Sequence, residues 1–397
     1  MSRGDNIELK DKGVIEFLRD CLEDNDSFIG IRNGYINLYY KGASAAKITT
    51  YKTKSKNKFP DYTAEGKFCE SVFEKNEASF EIHKKYLKGL DMSSNNDKDS
   101  RYMKVHFNYY RENYKKIKEI ITDHHEEGSD EKICQQWIIN MTNVCPNSDW
   151  YYIDMEYIKE NEPTGRFDMI AISRKKYSGK HKVALIELKV GDKSYSGIGK
   201  DYYDRRKEYE KIKNQKDSLY DYNKEDGYLS FGSGIVGHIS NFMRFLKWGK
   251  YEELLKDDII GIINRKKELE LLEEGICFDG LCKEQLEDSP EIYIISYTSA
   301  PGKKTNTTVK DLKTKMYKYV FDGKIKGEMC SEHSLEKLIC KENIKDFANK
   351  ELKKFLIEDE GNKHTSTLKI SNRDYGFNFI FVDTQEELSW NCLGKIK

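Results

Sequence analysis

Proline is scarce, with 5 among 397 residues, so proline-rich linkers and polyproline recognition tracts are excluded. Long apolar runs are missing too. Nothing approaches the roughly 18 consecutive apolar residues that mark a membrane-spanning helix, and no membrane span is expected. The chain has nine cysteines, but none forms a Cys-x-x-Cys pair. That spacing argues against a zinc site and for free thiols in a reducing compartment. The opening residues, Met1-Ser2-Arg3-Gly4-Asp5-Asn6, hold no apolar segment of the secretory-leader kind, so a cytoplasmic location is expected. Net charge of either sign is also lacking. The 68 Lys and Arg balance 68 Asp and Glu, which speaks against a generally basic nucleic-acid binder.

What is present is a chain long enough for two or three domains with a sizeable core. Its charge is unevenly placed. Residues 171–216 carry 14 Lys and Arg against 6 Asp and Glu, whereas residues 251–290 carry 5 against 12. The basic block is either a solvated surface or a patch where a phosphate backbone could lie.

The basic block surrounds the most informative stretch. Gly165-Arg166-Phe167-Asp168-Met169-Ile170-Ala171-Ile172 is followed by a short basic loop and by Val183-Ala184-Leu185-Ile186-Glu187-Leu188-Lys189-Val190. Two apolar runs around a turn signal predict a β-hairpin. The charges inside them are costly in a half-buried strand unless they are paired or bind a metal. Glu187 and Lys189, two apart, share one face of their strand. In the simplest register Asp168 sits near Glu187. Two carboxylates with an ammonium beside them suit a hard divalent cation.

Gly-x-x-Asp followed by Glu-x-Lys on the next strand resembles the PD-(D/E)XK nuclease superfamily, in its RecB-like branch. The likeness covers roughly residues 130–300. It implies an α/β fold with a restriction-endonuclease-like α-β-β-β-α-β core and a mixed sheet. It also implies a Mg²⁺-dependent nuclease (Mn²⁺ able to substitute) that hydrolyses phosphodiester bonds, with DNA favoured over RNA as the partner. Asp168 and Glu187 would be metal ligands, the carbonyl of Leu188 a third, and Lys189 the residue that orients water or stabilises negative charge. A carboxylate on the first helix completes the site in some members, which points to Glu131, with Gln135 one turn later. A Gln-x-x-x-Tyr motif on the second helix is matched here only in spacing, by His238 and Phe242. Free-standing nucleases of this kind serve in prokaryotic anti-phage defence or DNA processing. The alternatives are a catalytically silent binding or scaffolding protein and an RNA-cleaving nuclease. A homo-oligomer or a partner protein is compatible with either.

Periodicity predicts the element order independently. A helix over 14–22 precedes a three-stranded antiparallel meander over 27–51, hinged on Asn33-Gly34. Residues 52–62 read as a loop, 73–90 as a helix, 92–100 as a linker, and 102 to about 125 as a long polar helix. Tyr35, Tyr39, Tyr40, Tyr109 and Tyr110 could stack on bases or pack internally. The core opens with a helix from Ser129-Asp130, striped by Ile133, Trp137, Ile138, Met141 and Val144. A strand over 151–158 and the hairpin follow. A second helix after Gly232-Ser233-Gly234 is striped by Ile235, Ile239, Phe242, Met243 and Leu246. An acidic helical insertion over 250–288 and a strand over 291–297 complete the core. Asp154 and Glu156 share a strand face and are candidates for a metal's outer shell. His124-His125-Glu126-Glu127 looks metal-like, but adjacent histidines diverge on a helix. The expected divisions are an N-terminal α+β region (1–128), the nuclease core (129–300) and a C-terminal α+β extension (301–397). The extension holds a helix over 335–355 and a hairpin over 368–382 that could complete the sheet of another domain.

Overall fold

A computed structural model describes residues 3–4, 7–24, 26–87, 90, 101–123, 130–159, 162, 165–194, 235, 238, 241–242, 245–246, 248–316, 356–361, 364–371 and 376–396. The 92–100 linker, the 335–355 helix and the His124–Glu127 cluster lie outside these residues.

Helix α1 (Lys12–Leu22) starts at Asp11, whose Oδ1 accepts from the backbone of Gly13 at 2.9 Å and Val14 at 3.2 Å. This is the N-cap bond that satisfies two orphan donors of the first turn. Val14, Leu18 and Cys21, one helical stripe, are its buried face. Strands β1 (Ser27–Ile31), β2 (Ile36–Tyr40) and β3 (Ala43–Thr50) form the expected meander. Beyond it the expectations fail. Residues 58–62, expected to lie in a loop, form strand β4 (Lys58–Tyr62), which makes a hairpin with β5 (Phe68–Val72). The 73–90 stretch yields strand β6 (Ala78–His83) and only a single helical turn, α2 (Lys84–Leu87). The 102–125 stretch begins as strand β7 (Tyr102–His106) before helix α3 (Phe107–Asp123). Phe80 and Ile82 are fully buried two residues apart, a strand's period. Cross-strand neighbours decided the matter, since Glu81 pairs with Lys47 on one side and Lys104 on the other. The sheet order is β1-β2-β3-β6-β7. Tyr39, Tyr40, Tyr109 and Tyr110 are buried, so for these four the packing role replaces base stacking.

The second sheet is mixed, and the molecule is a mixed α/β fold. Helix α4 (Asp130–Asn143) leads into β8 (Trp150–Ile158), β9 (Arg166–Tyr177) and β10 (Lys180–Val190), all antiparallel neighbours. Ser178 and Gly179 at the β9–β10 turn both take positive φ, 51° and 87°, as the tight hairpin turns that match strand twist require. Residues 235, 238, 241–242 and 245–246 are helical. A π-helical turn (Tyr251–Leu255) then runs into α5 (Lys256–Glu268). The acidic insertion is helical only that far. Residues 269–290 are irregular apart from a short turn at Lys283–Gln285, and pin themselves with buried Phe278, Leu281 and Leu286. Strand β11 (Glu291–Tyr297) lies parallel to β10. After α6 (Val309–Met316), strands β12 (Leu356–Gly361), β13 (Thr365–Ser371) and β14 (Gly376–Val382) complete the order β12-β13-β14-β11-β10-β9-β8. The C-terminal hairpin therefore joins this same sheet, β14 lying parallel to β11. The expected sheet of another domain is corrected accordingly.

Both faces of the sheet are covered, which explains why its strands read as near-continuous apolar runs. Val183 and Leu185 pack in one layer with Ile235, Phe242, Phe245 and Ile259. Ala184, Ile186 and Leu188 pack in the other with Cys134, Ile138 and Ile139 of α4. The helix stripe is shifted from expectation: Val144 is 54% exposed, while Gln135, Gln136 and Asn140 are buried. Gln136 and Asn140 face the N-terminal sheet. Gln136 Oε1 accepts from Gly42 N at 2.5 Å, and Asn140 Nδ2 donates to Ser27 O at 2.9 Å.

Candidate active site

Strand β10 delivers Glu187 and Lys189 to the face that carries Val183 and Leu185, the side of the 235–246 helix. Both are nearly inaccessible, at 1% and 5% exposure. The β9–β10 register pairs Ile186 with Met169, so the next residue, Asp168, comes beside Glu187's strand. Asp168 Oδ2 accepts from Leu188 N at 2.7 Å. Lys189 Nζ lies 2.6 Å from Glu187 Oε1, 2.9 Å from Leu188 O and 3.5 Å from Glu131 Oε2 in the first turn of α4. His238 Nδ1 lies 3.1 Å from Glu187 Oε2. Four separate elements thus meet here, bringing Asp168, Glu187, Leu188, Lys189, Glu131 and His238 together.

The electrostatics divide the carboxyls. Burial acts to raise Glu187, but His238 and Lys189 outweigh it and hold the group at about 2. Burial, reinforced by the Glu187 charge, pushes Asp168 well above the usual carboxylate range, with Lys189 opposing. Glu131 is raised for the same leading reason, again against Lys189. For Lys189, burial would favour the neutral amine, but Glu187, Asp168 and Glu131 together raise it. The ammonium is therefore held charged, not lowered as a lysine beside a bound cation would be.

Asp168, Glu187 and the Leu188 carbonyl are hard oxygen donors of the kind Mg²⁺ and Mn²⁺ prefer. The crowding that raises Asp168 is a repulsion that a cation would relieve, so the donor set fits such an ion chemically. The fit is conditional on Lys189, whose ammonium engages two of those three oxygens. Among the described residues, no three His, Cys, Asp or Glu side chains stand together as a ready-made metal cage. An ion at these oxygens would displace the ammonium along its flexible stem.

The remaining candidates separate. Asp154 is fully buried, 2.6 Å from Arg3 and also paired with Arg32. A register shift between Tyr152 and Asp154 accompanies this change of environment. Asp154 is thus a structural ion pair and not an outer-shell metal residue. Glu156, at φ 52°, lies 3.2 Å from Lys132, and its charge acts on Glu131. Gln135 is fully buried, and among the described residues neither amide atom has a hydrogen-bond partner. Phe242 packs on Phe167 at 5.1 Å between ring centroids, a packing role at the position where the resembled motif has Tyr. Sequence reasoning missed Lys303, which lies 2.5 Å from Asp130 beside Glu131. The only signal was a lysine pair after Pro301-Gly302. It also missed Lys315, 2.6 Å from Asp192, a pairing that no local pattern announces.

No family model matches the chain, and no curated protein or solved structure matches it.

Proposed function

We propose that this protein is a metal-dependent nuclease with a restriction-endonuclease-like core, cleaving DNA in preference to RNA. The observation that carries the reading is the convergence of Asp168, Glu187, Lys189, Glu131 and His238 from four elements. The order α4-β8-β9-β10-helix-β11, with β10 and β11 parallel, supports the same core. Phosphodiester hydrolysis needs a nucleophilic water, relief of charge on the phosphoryl oxygens and help for the leaving alkoxide. Mg²⁺ held by Asp168, Glu187 and the Leu188 carbonyl would supply Lewis acidity and a water of lowered pKa. Lys189, its ammonium moved off those oxygens by the ion, would present its positive charge to the phosphoryl oxygens as negative charge develops. Glu187 stays ionised through His238 and Lys189, and His238 fixes its orientation.

Cleavage of supercoiled plasmid, linear duplex, single-stranded DNA and RNA, with Mg²⁺, Mn²⁺ or EDTA, tests this. The expected result is metal-dependent DNA cleavage that falls on the order of 100-fold or more in Glu187→Ala. Undiminished cleavage by that variant would remove the site assignment. A second reading, a nuclease-fold binding protein that does not cut, is favoured by the Lys189 ammonium engaging two of the expected metal oxygens. It predicts nucleic-acid or protein binding indifferent to Mg²⁺. Service in anti-phage defence or DNA processing belongs to the proposal as a setting for the first reading.

A further inference from the structure

We infer that the segment from Pro301 to Met316 is a duplex-DNA-binding surface that guides the phosphate backbone past the end of β10. This deepens the nuclease reading and rests on it. Three parallel strands end in one row, with Val190 beside Tyr297 and Tyr297 beside Val382. The crevice outside the carboxyl ends of parallel strands is where open α/β sheets take ligands. Segment 301–316 leaves β11 at that edge with five lysines and one acid, Asp311. This cationic surface is separate from the 171–216 block singled out by composition.

The segment is fixed at both flanks of the site. Lys303 reaches Asp130, the neighbour of Glu131, at 2.5 Å. Lys315 reaches Asp192, three residues past Lys189, at 2.6 Å and also bonds the Asp192 carbonyl. Between these anchors a reciprocal cap sets the start of α6. Thr308 N donates to Asp311 Oδ2 at 2.9 Å, and Asp311 N donates to Thr308 Oγ1 at 3.2 Å. The one acid of the segment is thereby turned to its own backbone. Lys304 and Lys310 are exposed, and among the described residues neither ammonium makes a hydrogen bond or ion pair; only the Lys310 carbonyl is engaged, by Thr314 Oγ1 at 2.8 Å. Two free ammoniums on a braced segment between the site's flanks match a polyanion's repeating charge. Lysine suits backbone contact, which positions a duplex without reading its sequence.

The test is Lys304→Gln with Lys310→Gln, measured by fluorescence anisotropy on short labelled duplex DNA, single-stranded DNA and RNA in EDTA over a salt series, beside the cleavage assay. Each lost phosphate contact lowers the slope of log affinity against log salt by about 0.9. The expected result is a slope shallower by about 1.8 and about tenfold weaker binding at low salt, with an unchanged melting temperature. Unchanged affinity and slope in a cleaving enzyme would overturn the inference and leave the nuclease reading standing. A lysine-dependent duplex interaction without any cleavage would keep the surface and sink the nuclease reading. A loss seen only on single strands or RNA would overturn the duplex assignment, and no binding of wild type to any nucleic acid would overturn both.

Discussion

Asp168 and Glu187 stand on adjacent strands, yet their surroundings move them in opposite directions. Glu187 lies between His238 and the Lys189 ammonium and is held at about 2. Asp168 is raised, by burial first and then by the Glu187 charge. The signs follow from proton linkage. An acid with a lowered folded pKa adds stability above its unfolded value, and that stability is lost as pH falls through the folded one. An acid with a raised folded pKa binds more protons when native, so its contribution falls as pH rises past the ordinary value near 4. Asn keeps the acceptor for Leu188 N and removes the charge. In EDTA, Asp168→Asn should match wild type at about pH 4 and exceed it by on the order of 1 kcal/mol at about pH 8. Urea denaturation at the two pH values measures this. A variant no more stable at the higher pH would show that Asp168 carries no such penalty.

At the scale of elements, the site needs α4 to place Glu131, and α4 is set by a turn of the other sheet. Gly42, between β2 and β3, takes φ 78°. A Cβ there would lie 2.5 Å from the carbonyl carbon of Lys132 and 2.7 Å from Ile133 N. The close approach also lets Gly42 N donate to Gln136. Both the positive φ and the missing side chain are used. Gly42→Ala should cost about 2 kcal/mol or more and, under the proposed nuclease reading, lower cleavage, because the backbone that must yield adjoins Glu131. Denaturation and the cleavage assay together check it; an active, fully stable variant would show that α4 is placed independently of this turn. The helix expected over 73–90 and the start of the one expected at 102 failed at the same scale. Lys47, Glu81 and Lys104 form a cross-strand row from residues distant in sequence, and no local window contains that row.

For the whole molecule, the N-terminal sheet and the site-bearing sheet share buried charge. Asp154 accepts from Arg3 and from Arg32, and Arg32 also donates to Met155 O at 2.5 Å and to the Tyr39 hydroxyl at 3.0 Å. A lone buried charge is far more costly than a paired one. Asp154→Ala strands two guanidiniums and should cost roughly 3–5 kcal/mol. Urea unfolding followed by far-ultraviolet circular dichroism, which samples both sheets, should show the loss in one transition. Two separated transitions, with only one shifted, would mean that the sheets are stable independently.

Much of the site was legible because its chemistry conflicts with its surroundings. Charges at Asp168, Glu187 and Lys189 interrupt apolar strands, and such interruptions survive only where they are paired or used. The hairpin of β9 and β10, the turn at Asn33-Gly34 and the order of core elements followed from short-range spacing. Glu131 and His238 were placed by resemblance to a motif, and their contacts with Lys189 and Glu187 depend on how helices cross the sheet. Other features belong to tertiary structure alone. Asp154 looked like its neighbour Glu156 until a register shift and two distant arginines gave it another partner. The C-terminal hairpin carried no signal of which sheet edge it would meet, since backbone hydrogen bonds to β11 depend on approach and not on side-chain identity. The sequence by itself determined which residues could not be buried without a purpose. The tertiary structure decided which of them found ion-pair partners and which converged on one point.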